Sequence, residues 1–262
     1  MTKKPTITVL LLLYAPTPFL RAMTEFSIRA LRQHADGDYK LLISEQDGDQ
    51  FTPERWKHDP MMRIDQHITR ETCDNLAIPM NAALDAIDTD YVVITGSDIV
   101  AFQQGWDSAL LEPFEKYADC GTSCLAAKEP GNPPIGTPTP AAWIVEGMFA
   151  PFMMMKPSQR YDLSYPGGSY ADSDLMMRIY ESGQRSYRNN RVQVIHMNGM
   201  TYSAIGKGHA VDERFATAEK MFHERWCASP YLMYGMMRSG HIVYGQEHKA
   251  WLSPIPRPAT WG

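Results

Sequence analysis

Cysteine is scarce in this chain. There are four (Cys73, Cys120, Cys124 and Cys227) in 262 residues, with no CxxC pair and no zinc-finger spacing. That excludes a disulfide scaffold or a structural zinc module as the source of stability, and reads as reduced structural thiols in a cytosolic chain. Concentrated charge is also missing. The 25 basic and 30 acidic residues leave a net charge of −5 with no block of one sign. Nothing sequence-wide therefore directs the protein to nucleic acid or an anionic membrane, although a local basic patch stays open. A long apolar run is the third absence. The longest, Val9 to Leu13 with its flanks, falls far short of the ~20 residues that span a bilayer. Lys3 and Lys4 precede it as they would in a signal peptide, but a Pro-rich turn and an amphipathic stretch follow, not a small-residue cleavage site. The segment reads as a buried strand and the protein as cytoplasmic.

What remains is an ordinary globular composition, 44% apolar and 21% charged, enough for one large α/β domain or two small ones. Seventeen methionines, several in pairs or runs such as Met153 to Met155, suit a core packed with flexible gap fillers.

Thr6 to Leu13 has the β-branched and aliphatic continuity of a parallel strand covered on both faces. Thr17-Pro18 supplies an N-cap and a first-turn proline to a helix carrying Phe19, Met23, Phe26, Ala30 and Leu31. Tyr39 to Ser44 reads as a second strand, ending in the acidic turn Glu45 to Asp49. After a polar stretch comes a helix with Leu76, Met80, Ala83, Leu84 and Ile87, with Pro79 near its start. Tyr91 to Thr95 is a third strand, broken by Gly96-Ser97-Asp98, and a helix with Trp106, Leu110, Phe114 and Tyr117 follows. Alternating strand and helix over about 120 residues is the mark of a doubly wound sheet, whose ligands bind at the carboxyl ends of its strands. The acidic turn and Asp98 both lie on that edge.

The second half is less regular. Residues 128–140 are a Pro-rich loop, and Met148 to Met155 reads as a strand. Tyr165 to Ser169 reads as a mobile Gly-Gly turn, after which Asp172 caps a helix stopped by Gly183. Arg191 to His196 is a further strand, and a helical segment occupies 216–226.

Each chemical candidate has a plain structural reading beside it. Asp98 is a turn residue or a hard-cation ligand. Asp172 and Asp174 are first-turn acids that complement the helix dipole, or Asp172 is a general base. His196 is a structural strand-end histidine or a metal ligand. Gly206-Lys207-Gly208 is an exposed turn or a lid over a diphosphate, and it lacks P-loop spacing. Trp143 and Trp226 are packing residues or part of an acceptor site.

In order and spacing, these segments resemble the inverting GT-A glycosyltransferases of family 2. The likeness runs over about residues 6 to 200. It is carried by Ile43 to Asp49, Asn75-Leu76-Ala77, Asn81-Ala82-Ala83-Leu84, Tyr91 to Asp98, Ala171-Asp172-Ser173-Asp174-Leu175 with Arg178, and Val192 to His196. The resemblance implies a GT-A, Rossmann-like α/β fold with a mixed, mostly parallel sheet flanked by helices. Residues 1–202 would form the domain (1–120 the nucleotide-binding half, 121–202 the acceptor and catalytic half), with 203–262 a lid and helical extension packed on it. It implies that Asp47, Asn75, Asn81, Gly96 and Ser97 bind a nucleotide-sugar donor; Lys207, beyond the likeness, would add positive charge at its diphosphate. Asp98 and His196 would hold Mn²⁺ or Mg²⁺, and Asp172 would be the base. The acceptor is a glycan, a lipid-linked saccharide, a protein or a modified nucleic acid. Two positions depart from the family pattern: Gly96 replaces the first acid of Asp-x-Asp, and Ala171 the Glu before the base. A sugar-phosphate nucleotidyltransferase is the first rival, but it carries a Gly-rich basic loop after the first strand where this chain has Tyr14-Ala15-Pro16-Thr17-Pro18. A non-catalytic binding protein of the same fold is the second.

Overall fold

The computed structural model describes residues 4–46, 58–71, 75–128, 144–146, 151–197 and 213–226. Its framework is a nine-stranded mixed sheet. β1 (Ile7–Leu13) lies between β2 (Lys40–Gln46) and β4 (Tyr91–Gly96), parallel to both, and β3 (Gln66–Arg70) extends the parallel half beyond β2. On the other side, β8 (Phe152–Met155) runs antiparallel to β4 and β6 (Cys120–Lys128). β9 (Arg185–His196) then pairs parallel with β6 and antiparallel with β5 (Ile99–Ala101) and β7 (Ile144–Glu146). Val9, Leu10 and Leu11 of β1 are fully buried, as a central strand covered on both faces requires.

The helices are α1 (Pro18–His34), α2 (Ala77–Leu84), α3 (Trp106–Lys116), α4 (Ala171–Glu181) and α5 (Glu213–Trp226). Thr17 caps α1 as expected, its hydroxyl accepting from the Leu20 N–H at 3.2 Å. The buried stripe, however, is set one residue along from the predicted one. Leu20, Thr24, Ser27 and Ile28 are buried, along with Ala30 and Leu31 as expected, whereas Phe19 and Phe26 stay 53% and 60% exposed. Small polar residues fit that face because their hydroxyls are satisfied there. Thr24 donates to the Leu20 carbonyl, and Ser27 to that of Ile99 in the neighbouring strand.

Other boundaries also move. β2 continues through Glu45 and Gln46, so the carboxylate read as a turn residue is fully buried in the sheet. β9 starts at Arg185 and not Arg191, and its pairing with β6 shifts register between Leu125 and Ala126. The sequence pattern does not show β3, β5, β6 or β7. The Pro-rich 129–140 segment lies outside the described residues. Among those residues, no helix is long and apolar enough to cross a membrane.

Candidate active site

Asp98 and His196 meet because β5 pairs with β9. β4 ends at Gly96, Ser97 and Asp98 make a tight turn, and β5 sets Ile99 opposite His196. The Met197 N–H donates to the Asp98 carbonyl at 2.9 Å and closes this corner. The His196 Nε2 and Asp98 Oδ2 atoms end 3.6 Å apart, with only 12% and 17% of the two side chains exposed. Two ligands held about 2.1 Å from one ion lie between about 3 and 4 Å apart, so an oxygen and a nitrogen at this spacing fit a divalent cation. No third protein ligand joins them among the described residues.

Gly96, the departure from Asp-x-Asp, has a local cause. A Cβ at this position would lie 2.7 Å from Asp98 Oδ1. The bare backbone lets the Asp98 carboxylate fold back over the strand end. Ser97, between them, is buried in the turn.

Asp172 reaches the same sheet edge from the other side. The chain enters α4 through Gly167 (φ 67°), Gly168 (φ 75°) and Tyr170 (φ 60°), a left-handed sequence that strains the tyrosine. The glycines are packed, not loose. The Leu76 N–H donates to the Gly167 carbonyl at 3.3 Å, and a Cβ on Gly168 would sit 3.0 Å from the Ala77 nitrogen. Tyr170, not Asp172, is the N-cap residue, and no side chain caps this helix. Asp172 lies two residues further in, within the first turn, half-buried, with Oδ1 accepting the Ser173 N–H at 2.7 Å. Burial pushes its pKa above the ordinary carboxylate value despite that bond.

Asp174, the neighbouring acid, is differently placed. Fully buried, it accepts from the Tyr165 hydroxyl (3.1 Å), Trp226 Nε1 (2.9 Å) and Arg178 Nε (2.8 Å), and Arg225 lies 3.2 Å away. Its oxygens are committed to holding α5 and the 165 turn against α4, which removes it as a substitute base. Trp226 is a packing residue of that network.

A cavity of about 250 Å³ opens beside Asp172 at the carboxyl ends of β1 and β4. Leu12, Ile94, Thr95 and Gly96 of those strands line it, with Leu76, Ala77 and Met80 at α2, and Gly168 and Ala171 next to the acid. Asn75 and Asn81, expected at the donor, do not line this cavity and are engaged with the 161–165 segment. Asn75 donates to the Leu163 and Tyr165 carbonyls, both at 3.0 Å, and accepts from the Ala77 N–H. Asn81 bridges the Tyr161 carbonyl and N–H, both at 2.8 Å. Tyr161 is buried against the cavity, where burial and then the Asp172 charge keep its phenol protonated. Asp47, Lys207 and Trp143 lie outside the described residues.

One pair at this edge escaped sequence reading. Glu45 at the end of β2 accepts from His67 Nε2 of β3 at 2.8 Å. Its signal was a Glu inside an apolar strand, but the partner lies in a stretch with one aliphatic residue.

By sequence, no family model and no curated protein matches the chain. By structure it is similar to TarS of S. aureus, with a TM-score of 0.57 and 11% identity over 93% of this chain and 44% of that one. A second TarS structure, of residues 1–349, gives 0.56 and 10% over 93% of this chain and 77% of that one. A mycobacterial protein gives 0.50 and 13% over 74% and 68%. The chain thus spans less than half of the first TarS structure, and identities this low speak to fold alone. With the strand order and the flanking helices, they establish the GT-A fold.

Proposed function

We propose that this protein is a nucleotide-sugar-dependent glycosyltransferase that inverts configuration, with Asp172 as its base. The observation that carries the reading is the position of Asp172. This carboxylate is made more basic by burial and opens onto a cavity that it shares with Gly96, at the sheet edge where Asp98 faces His196. Doubly wound sheets bind ligands at this edge.

In the reaction the acceptor hydroxyl gives its proton to Asp172 as its oxygen attacks the anomeric carbon. The bond to the diphosphate breaks on the opposite face, and no covalent intermediate forms. Asp98 and His196 would hold Mn²⁺ or Mg²⁺, which when bound offsets charge on the departing nucleoside diphosphate. Ser97 and the Gly96 backbone border the donor. Asn75 and Asn81 act by fixing the 161–165 segment, while Asp47 would contact the nucleobase and ribose of the donor and Lys207 its diphosphate.

The test is release of nucleoside diphosphate from a panel of nucleotide sugars, with and without Mn²⁺. Turnover of one donor that Asp172→Asn lowers by roughly 10² or more supports the reading. An Asp172→Asn variant with wild-type turnover rejects it.

A further inference from the structure

The cavity beside Asp172 is unlike a saccharide site. Its walls are Leu12, Leu76, Met80, Ile94, Pro151 and Tyr161, and Asp172 is its one ionisable carboxylate among the described residues. The Thr95 hydroxyl that also borders it donates to the Gly96 carbonyl at 3.3 Å. Outside the mouth the apolar surface continues. Leu76 is 44% exposed and Leu163 is 52% exposed, and the Asn75 side chain between them donates to the Leu163 carbonyl. Neither Asp98 nor His196 lines the cavity. The diphosphate end of a donor therefore lies on the far side of Gly96, and the cavity holds what approaches from the Asp172 side.

We infer that the acceptor is an alcohol whose hydroxyl is carried on a hydrocarbon body. This rests on the glycosyltransferase reading above. Among the described residues the lining side chains offer a polyol only Asp172, Thr95 and the Tyr161 phenol, and each further hydroxyl it brings is left unpartnered at a cost. A hydrocarbon body gains by leaving water, and its single hydroxyl meets Asp172. The balance is simple. The acceptor oxygen bonds to the anomeric carbon as the carbon–oxygen bond to the nucleoside diphosphate breaks. The electron pair leaves with the diphosphate, and the proton passes to Asp172. A cavity of 250 Å³ takes one small body of this kind and lets a longer chain run out over Leu76 and Leu163.

The experiment has a binding arm and a turnover arm. Benzyl alcohol and geraniol are titrated against the wild-type chain and a Leu76→Asp variant by ligand-observed NMR. Both should bind the wild type, and both should lose about tenfold in affinity in the variant. Absent binding, or equal affinity, overturns the inference whether or not any sugar moves. In the turnover arm, the same alcohols should raise nucleoside-diphosphate release at least tenfold over water, while glucose and ribitol should not. If glucose or ribitol is the better acceptor, the inference fails and the glycosyltransferase reading stands. If the alcohols bind as expected but no donor is turned over, the apolar site stands and that reading fails. Geraniol above benzyl alcohol identifies a lipid-like acceptor, and the reverse order an aryl one.

Discussion

Two roles compete for the Asp172 carboxylate, first-turn acid of α4 and general base, and its burial separates them. A raised carboxyl pKa means that the folded state holds the proton more tightly than the unfolded chain. Stability therefore falls as pH rises from the ordinary carboxylate pKa through the folded value, and above that window the ionised group is a net cost to the fold. Asp172→Asn should thus melt no lower than wild type at neutral pH, and higher if burial is the larger effect. It keeps an oxygen for the Ser173 N–H but accepts no proton, so transfer should drop by about 10² or more. In the wild type, kcat/KM should climb with pH through the raised pKa. A variant that melts lower while keeping its transfer rate would mark Asp172 as a structural acid. Gly96 allows a second test at this scale. In Gly96→Ala the new Cβ meets Asp98 Oδ1 at 2.7 Å, and the movable carboxylate gives way while the backbone stays. The expected result is an unchanged melting temperature with Mn²⁺-dependent nucleotide affinity reduced about tenfold, read by calorimetry. Unchanged affinity would detach Asp98 from the metal.

At the scale of elements, helix α5 is tied to α4 by one buried carboxylate. Asp174 accepts from Trp226 of α5 and from Tyr165 of the turn that leads into α4, and Arg225 bonds both Asp162 and Asp174. Burial opposes ionisation of Asp162, but bonds from Ser164 and Arg225 hold its pKa at about 2. Trp226→Phe keeps the aromatic packing and deletes one donor, which for a buried carboxylate costs about 1–3 kcal/mol. Urea unfolding should show that loss at an unchanged m-value, and kcat should fall more than KM because the start of α4 is held through Asp174. Full stability in this variant would mean that α5 is anchored by packing alone. None of this was readable from spacing. Asp172 and Asp174 are two residues apart on one helix, and what distinguishes them is a tryptophan 52 residues further on. The same limit hid several strands. β6 is built from small residues (Cys120-Gly121-Thr122-Ser123-Cys124), and β5 is three residues long. β3 has a single aliphatic residue on an edge position. Strands of continuous aliphatic residues, β1 and β4, were legible because burial on both faces leaves few other residue types possible.

For the whole molecule, the topology decides which distant residues share a site, and ligand linkage offers the broadest test of the result. β4 lies at the centre of the sheet, yet the turn after it joins β5, which crosses to pair with β9 at the far edge. One end of the proposed cation site is thus built on the second half of the chain, and Asp172 is set on α4 between β8 and β9 in sequence. A ligand bridging Asp98 and His196 couples the two halves and should stabilise both. A ligand present at 100 times its Kd adds about 2.7 kcal/mol to folding stability. At roughly 2–4 °C per kcal/mol for a large domain, a saturating nucleoside diphosphate with Mn²⁺ should raise Tm by about 5–10 °C. If Asp98 and His196 were merely an ion pair, nucleotide alone would give the same shift and chelator would change nothing. With a cation between them, most of the shift should vanish in chelator, and also in Asp98→Asn, which keeps the shape of the turn but loses the charge. His196→Gln should weaken the shift less, because water can take the place of one neutral ligand but not of a carboxylate. An equal shift for wild type and Asp98→Asn in the presence of Mn²⁺ would remove the metal from the site while leaving Asp172 and its cavity in place.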